Sequence, residues 1–346
     1  MSRRTAVVIA PGRGVYNASE LGYFNRFHQD KSDLIKGFDA VRAALGQESL
    51  ERLDGAARYA VAKFTRGDNA SGLIYTCSYA DFLDIDRDAF DIVAATGNSM
   101  GWYSALACAG ALSADNGFHV VNTMGAIMQD ALIGGQMIYP FVDEDWREID
   151  GGRHALLKLI DETPGLYVSI HLGGMLVLAG TPEALDVAEK RLPRVQERYP
   201  MRLANHAAFH TKLQRPTAEK GRATLPASLF QQPQTPLIDG RGAVWLPKAC
   251  DLNALWSYTL GAQVIEPYDF TRAITVAMRE FAPDVFILLG PGMTLGGATA
   301  QSMIADGWRG LASKSDFIDM QKKAPRLLAM GAPEQRGIAT NGAPQD

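Results

Sequence analysis

Short apolar runs alternate with longer amphipathic stretches along the chain, a pattern typical of an α/β protein. Three of the apolar runs predict buried strands, each closed by a turn that contains glycine: residues 6–10, 91–96 and 284–289. Residues 73–83 and 117–133 carry apolar groups at helical spacing and predict two helices. Polar helical stretches lie between the first strand and residue 66. The alternation predicts a large α/β domain.

The pattern changes near residue 134, where the predicted elements follow the order strand, helix, strand, strand, helix, strand. The strands are expected at residues 136–142, 166–172 and 174–180. Thr181 as N-cap and Pro182 at the first helical position open a charged amphipathic helix that we expect to reach Tyr199. This order resembles a ferredoxin-like subdomain.

These boundaries predict three parts of the chain. Residues 134–205 form the ferredoxin-like insert, and residues 1–133 together with 206–330 form a discontinuous larger domain. Residues 331–346 are rich in Gly, Pro and Gln and predict a disordered tail.

Composition and charge narrow the class of protein. With 346 residues and 47% hydrophobic content, the chain can fill a sizeable core. No apolar run reaches the ~18 residues of a membrane span, and the N-terminus leads directly into a strand, so we expect a cytoplasmic protein without a membrane partner. A net charge of −4 without a basic run argues against nucleic acid as a partner.

The cysteines predict neither a disulfide framework nor a metal site. They are three in number, far apart in the sequence and without a C-x-x-C pair: Cys77, Cys108 and Cys250. An odd count with such spacing is typical of buried thiols.

The segment Gly97-Asn98-Ser99-Met100-Gly101 follows an apolar run and precedes an Ala-rich helical run. Strand, tight turn and helix with a serine at the apex make a nucleophile elbow. The flanking glycines permit the sharp turn, so Ser99 projects from the end of the strand, and the Met100 amide faces the helix start. A chain of this length contains G-x-S-x-G by chance with a probability of roughly 0.15, so the flanking pattern carries the prediction over an incidental turn.

Four segments, in order, resemble one family: PGRG at 11–14, GNSMG at 97–101, AAFHTKL at 207–213 and LLGPG at 288–292. The chain resembles the malonyl-CoA:acyl-carrier-protein transacylases and the related acyltransferase domains of fatty-acid and polyketide synthases, over about residues 5–325. The resemblance implies a hydrolase-like α/β fold with a parallel-sheet core. It also implies transfer of an acyl group from acyl-CoA to the phosphopantetheine thiol of an acyl carrier protein, with no resident metal or redox cofactor.

The resemblance assigns roles to residues of the site. Ser99 is the expected nucleophile and His210 the general base and then acid, favoured over His206 because its Phe-His-Thr-x-Leu context matches the family. A backbone carbonyl, expected just ahead of Gly290, orients the imidazole. The Met100 amide and the backbone or side chain of Arg13 are expected to hold the oxyanion.

The departures from the family pattern concern the acyl pocket. The residue that would clamp a malonyl carboxylate is Met124 instead of arginine, within the run Met124 to Gln129. A buried carboxylate without a charged partner costs several kcal/mol, so an uncharged acyl group becomes the simpler substrate.

Further departures are expected around the same pocket: Arg13, Cys77, Asn98 and Trp102, with Gln129 as a further lining residue. Arg13 either supplies a cation for the oxyanion or a substrate carboxylate, or points to solvent. Trp102 either narrows the pocket or only packs in the core.

A basic stretch follows His210 and could dock the acidic carrier protein or the phosphates of CoA: Lys212, Arg215, Lys220 and Arg222. The alternative is that these residues only belong to a solvated loop.

Two other functions are compatible with the presence of Ser99 and His210. A thioester hydrolase would pass the acyl group to water, and an impaired paralogue would bind acyl-CoA or carrier protein without turnover.

Overall fold

The computed structural model describes residues 3–341 of the chain. Its strands are β1 Arg4–Ala10, β2 Phe90–Gly97, β3 Gly135–Pro140, β4 Leu166–Leu172, β5 Met175–Gly180, β6 Met201–Arg202, β7 Leu237–Ile238, β8 Val244–Trp245, β9 Tyr268–Asp269, β10 Val285–Leu288 and β11 Leu327–Ala329.

The helices are α1 Tyr23–Phe27, α2 Ser32–Ala44, α3 Leu50–Asp54, α4 Val61–Phe64, α5 Gly67–Asp84, α6 Gly101–Cys108, α7 Ala114–Asp130, α8 Gly152–Asp161, α9 Pro182–Arg191, α10 Arg215–Thr224, α11 Leu252–Ser257, α12 Gln263–Ile265, α13 Phe270–Phe281, α14 Leu295–Ala305, α15 Lys314–Lys323 and α16 Pro333–Asn341. A π-helical turn, Tyr258–Ala262, joins α11 to α12. Within the described range, no helix is both long and apolar enough to cross a membrane.

The larger sheet has the strand order β11-β10-β1-β2-β7-β8, and all of its neighbouring strands are parallel except β7 and β8. Its central strand β1 is buried, with Val7, Val8 and Ile9 fully covered. Apolar strands of this kind are typical of parallel sheets that are covered on both faces. The predicted α/β class with a parallel-sheet core is confirmed.

The smaller sheet has the order β6-β3-β5-β4-β9. Strands β3 to β6 and helices α8 and α9 follow each other as strand, helix, strand, strand, helix, strand. The fifth strand, β9, comes from the later part of the chain and pairs in parallel with β4. The hydroxyl of Tyr268 on β9 donates a hydrogen bond to the carbonyl oxygen of Gly97 at 2.6 Å. The small sheet is therefore hydrogen-bonded directly to the end of β2.

Two expectations about elements are wrong. Helix α9 ends at Arg191 instead of Tyr199, because Pro193 lacks an N–H group and disfavours helical backbone at the residue before it. The expected disordered tail contains helix α16. That helix buries Ala339, and the guanidinium of Arg336 forms salt bridges with Asp81 and Asp84. The part of the tail expected at residues 342–346 lies outside the described residues.

Candidate active site

Ser99 lies at the apex of the turn between β2 and α6 and has left-handed backbone geometry, with φ of 55°. The two flanking glycines are required by close backbone contacts. A Cβ at Gly97 would lie 2.2 Å from the carbonyl oxygen of Gly101, and one at Gly101 would lie 2.1 Å from that of Ala10. The strained backbone therefore belongs to the serine itself, which is typical of a nucleophile elbow.

The loop after β1 lies beside this turn. Ala10 and Gly97 are register partners, so the two loops leave neighbouring parallel strands at the same edge of the sheet. A Cβ at Gly12 would lie 2.7 Å from the carbonyl oxygen of Asn98, so only glycine allows the loop to approach this closely. Arg13 and Met100 consequently flank Ser99 from two different loops.

A hydrogen-bonded chain joins Ser99, His210 and the backbone of Gln263. The Ser99 Oγ lies 2.7 Å from His210 Nε2, and His210 Nδ1 lies 2.6 Å from the Gln263 carbonyl oxygen. A carbonyl oxygen only accepts, so Nδ1 carries the proton and Nε2 is left to accept the proton of the serine hydroxyl.

Burial keeps the imidazole of His210 neutral. The residue is only 3% exposed. Burial lowers the pKa of His210 to about 4, and the hydrogen bond to the Gln263 carbonyl opposes that shift only in part. At neutral pH the ring is therefore ready to accept a proton from Ser99.

The sequence does not reveal the role of Gln263, and the expectation that a carbonyl just ahead of Gly290 orients His210 is wrong. The carbonyl that His210 contacts belongs to Gln263, whose side-chain amide also donates to the Ser99 carbonyl oxygen at 3.0 Å. The Tyr103 hydroxyl donates to the side-chain oxygen of Gln263 at 3.1 Å. Gly290 instead bonds to Ser78 and Asp81. A lone glutamine after a π-helical turn carries no local signal for this role.

The side chain of Arg13 points into the protein, so the solvent-pointing alternative is wrong. Its Nη2 donates to the Asn205 carbonyl oxygen at 2.9 Å, and its guanidinium lies 4.8 Å from the centre of the Phe209 ring. Its Nη1 is shielded from solvent and has no hydrogen-bond partner among residues 3–341. Burial lowers the pKa of Arg13 to about 10, which leaves it a cation at neutral pH.

Ser99 and Arg13 line two adjoining cavities. The larger, of about 840 Å³, lies between the two sheets and is also lined by Asn98, His206 and Phe209. The smaller, of about 20 Å³, is enclosed by a second group of side chains, among them Tyr103, Val121, Met124, Met128 and His210. Ser99 is thus accessible from a large cleft and backed by a small cavity.

Met124 is 1% exposed and packs against Gly221, where a Cβ would lie 2.8 Å from its Sδ. It lines the small cavity. The position expected to clamp a carboxylate therefore presents an uncharged thioether to the space behind Ser99.

Three expected pocket residues lie elsewhere. Trp102 is fully buried and donates from Nε1 to the Thr259 hydroxyl at 3.0 Å, so its packing alternative is the observed one. Cys77 is fully buried and lines neither cavity. The Gln129 side chain accepts from the Gly67 amide at 2.7 Å and so holds the start of α5.

His206 does not contact Ser99. Its Nδ1 lies 2.7 Å from the Gln136 side-chain oxygen, and burial together with the Arg13 cation lowers its pKa well below the usual value. It lines the large cleft as a neutral ring.

The four basic residues expected to dock a partner are exposed, and none of them lines either cavity. Lys212 lies over the Tyr167 ring at 5.1 Å, and Lys220 forms a 3.8 Å ion pair with Asp130. Arg222 donates weakly to the Ser257 carbonyl, and Arg215 begins α10. Their docking role stays a prediction.

The architecture is that of α/β acyltransferases. The chain superimposes on the crystal structure of malonyl-CoA:acyl carrier protein transacylase from Xanthomonas oryzae pv. oryzae with a TM-score of 0.73 and 19% identity, over 99% of each chain. It also matches the structure of a type II polyketide synthase acyl-carrier protein in complex with its malonyl-transacylase, with a TM-score of 0.71 and 18% identity, covering 98% of this chain and 100% of that one.

Within that class, the sequence is similar to malonyl-CoA:acyl-carrier-protein transacylases. It is 25% identical to the Bacillus subtilis enzyme over 66% of this chain and 70% of the relative. It is 24% identical to the Salmonella typhimurium enzyme over 59% of this chain and 63% of the relative, so less than two thirds of that relative is matched. No protein-family model matches the chain. The resemblance found in the sequence motifs is confirmed.

Proposed function

We propose that the protein is an acyl-CoA:acyl-carrier-protein S-acyltransferase that works through an acyl ester on Ser99. The observation that carries the proposal is the chain from Ser99 Oγ through His210 to the Gln263 carbonyl, with distances of 2.7 and 2.6 Å. A serine hydroxyl is a weak nucleophile at neutral pH, and a neutral imidazole in contact with it removes that limitation.

In the first half-reaction, Ser99 Oγ attacks the thioester carbonyl carbon while its proton passes to His210 Nε2. The tetrahedral intermediate carries its negative charge on the former carbonyl oxygen, next to the backbone amides of Met100 and Arg13. Collapse breaks the C–S bond, and the coenzyme A sulfur leaves with the proton from His210.

In the second half-reaction, His210 takes the proton of the phosphopantetheine thiol, and the thiolate attacks the seryl ester. Collapse returns the proton to Ser99 Oγ and leaves the acyl group on the carrier. The large cleft between the two sheets, whose apolar lining includes Ile138, Leu172 and Val177, is suited to the pantetheine arm that both substrates share. Every step uses side-chain and backbone groups of the chain itself and requires no resident metal or redox cofactor.

A carrier protein as acceptor is supported by the structural neighbour that was solved with its acyl-carrier protein. The identity of the acyl group is a separate question. Met124 removes the arginine that would bind a malonyl carboxylate at that position, so a malonyl-type substrate requires a cation from elsewhere in the site.

The decisive experiment is intact-mass spectrometry after incubation with malonyl-CoA, acetyl-CoA and longer acyl-CoAs. We expect a mass increase of one acyl group that is absent in Ser99→Ala. Addition of a holo carrier protein should then move the acyl group to the carrier.

The other outcomes identify the competing functions. Loss of the adduct without appearance of acyl carrier would show a thioester hydrolase. If no thioester forms an adduct, the protein binds these molecules without turnover and the proposal is wrong.

A further inference from the structure

Arg13 is a partly buried cation without a counter-ion. Among the described residues, no Asp or Glu oxygen lies within 4.0 Å of its guanidinium nitrogens. Its one hydrogen bond goes to the neutral Asn205 carbonyl, and the His206 ring, whose pKa the Arg13 cation helps to lower, is held in its neutral form. A buried charge without a partner costs several kcal/mol, a cost that an anionic ligand would offset.

The guanidinium is held in one orientation. The Asn205 carbonyl oxygen accepts from Nη2 at 2.9 Å, and the guanidinium carbon lies over the Phe209 ring, 4.8 Å from its centre. A Cβ at Gly67 would lie 2.9 Å from Nη1, so the glycine at the start of α5 leaves space for that nitrogen. One edge of the group is therefore bound, and the other carries an N–H donor with no acceptor. An oriented guanidinium of this kind matches the geometry of a carboxylate.

Arg13, the residue that carries the unpaired donor, lines the same cavity as the nucleophile. Arg13, Ser99 and Met124 all line the cavity of about 20 Å³ behind the elbow. That volume holds about one water molecule, so only the end of an acyl group could enter it, and the rest would lie in the larger cleft that Arg13 and Ser99 also line. A cation, a reactive hydroxyl and a small enclosed space favour a short acyl chain with a negative charge at its far end.

Resting on the acyl transfer proposed above, we propose that Arg13 binds the distal carboxylate of a short dicarboxylic acyl group. The specificity-determining cation is thereby supplied by the loop after β1 instead of by position 124 on α7. This assignment reverses the preference for uncharged acyl groups that Met124 alone indicates.

The test compares single-turnover acylation of Ser99 by malonyl-CoA and acetyl-CoA, followed by intact mass. The variants are Arg13→Gln and, as a matched loss of charge, Arg58→Gln, whose side chain is exposed and lines neither cavity. We expect the unmodified protein to favour malonyl-CoA at least about tenfold. Arg13→Gln should lower the malonyl to acetyl rate ratio about 100-fold. Arg58→Gln should leave both rates unchanged.

Removal of an unpaired buried cation should not unfold the protein, so Arg13→Gln is expected to melt no lower than the unmodified protein. Arg13→Lys provides a second variant that keeps the charge but loses the planar guanidinium with its paired N–H donors. It should retain part of the malonyl preference.

Equal losses with both substrates would overturn the proposal, because they would show that Arg13 acts on the oxyanion that every acyl group forms. Preference of the unmodified protein for acetyl-CoA would overturn it as well. Either result leaves the acyltransferase function intact. Absence of any adduct on Ser99 from any acyl-CoA would instead refute the proposed function on which this inference depends.

Discussion

Burial of His210 determines the pH range in which Ser99 can react. Free imidazole has a pKa of about 6.5, and a base with that value would be half-protonated just below neutral pH. Because burial lowers the pKa of His210 to about 4, the ring stays neutral, and Nε2 stays an acceptor, over the whole physiological range. The direction of the shift favours the base form that the first step requires.

We expect the rate of acylation of Ser99 to be flat from neutral pH to about pH 5 and to fall with a midpoint near pH 4, where His210 takes up a proton. The rate is lost as the pH falls through the folded-state pKa, because protonated Nε2 cannot accept the serine proton. Rapid-quench acylation after a brief pH jump would measure the profile, with circular dichroism as a check on folding. A midpoint near pH 6.5 would show that the ring is solvated.

Residues of the site differ in how far the sequence reveals them. Ser99 carries a local signal, since the glycines that flank it lie within two positions. Gln263 carries none, because its contacts with His210, Ser99 and Tyr103 join segments that are distant in the sequence. The inward direction of Arg13 likewise depends on Asn205, which lies 192 positions away.

At the scale of elements, the elbow depends on how closely the end of β2 and the start of α6 approach their neighbours. Neither Gly97 nor Gly101 has a positive φ, so their role is to leave space for carbonyl oxygens. Helix α6 can then begin directly behind the nucleophile, with its first turn packed against the carboxyl end of β1.

Replacement of Gly101 by alanine should destabilise the protein by about 3 kcal/mol or more, because the added Cβ would lie 2.1 Å from the Ala10 carbonyl oxygen and the backbone must shift. The matched control is Gly37→Ala in the exposed face of α2, where no atom lies within 4 Å of the new Cβ. That change should stabilise the protein by roughly 0.5–1 kcal/mol. Urea unfolding measures both, and equal effects of the two substitutions would contradict the steric explanation.

At the scale of the whole molecule, the C-terminal helix α16 is joined to the core by buried charges. Arg336 contacts Asp81 and Asp84, and His28 contacts the same two carboxylates. His28 and the two aspartates lie close enough together to hold a metal ion. The cations of Arg336 and Lys31 already neutralise this cluster, however, so its evident role is structural.

Asp81 connects that cluster to the larger sheet. Its carboxylate accepts from the Gly290 amide at 2.7 Å and from the Tyr23 hydroxyl at 2.9 Å. Burial opposes protonation of His28, but its hydrogen bond to Asp81 and its close contact with the Asp84 carboxylate prevail and raise its pKa. Helix α16 therefore stabilises the turn after β10 through Asp81.

Substitution of Arg336 by alanine should lower the free energy of unfolding by about 3–5 kcal/mol, because it leaves the Asp81 charge buried with one partner fewer. Thermal and urea unfolding would measure the loss. Lys322→Ala provides the comparison, since its pair with Asp319 is exposed on α15 and such pairs contribute at most about 1 kcal/mol. An Arg336→Ala protein as stable as the Lys322→Ala protein would show that α16 is not anchored by these charges.

The fold class was predictable because its signals are local. Apolar runs, helical spacing and glycines identify β1, β2, β10 and the elbow without reference to distant residues. The α16 helix was not predictable, since its composition is that of a tail and it is held by Asp81 and Asp84, about 250 positions earlier in the sequence.

The sequence by itself determined the strand, turn and helix around Ser99, the parallel-sheet class and the family resemblance. Each of these depends on residues near one another in the chain or on short ordered motifs. Only the tertiary structure decided that Gln263 orients His210, that Arg13 turns inward without a counter-ion, and that Trp102 packs away from the pocket. Those outcomes depend on contacts between distant segments, and a side chain's direction is set by the space and hydrogen-bond partners that such contacts leave to it.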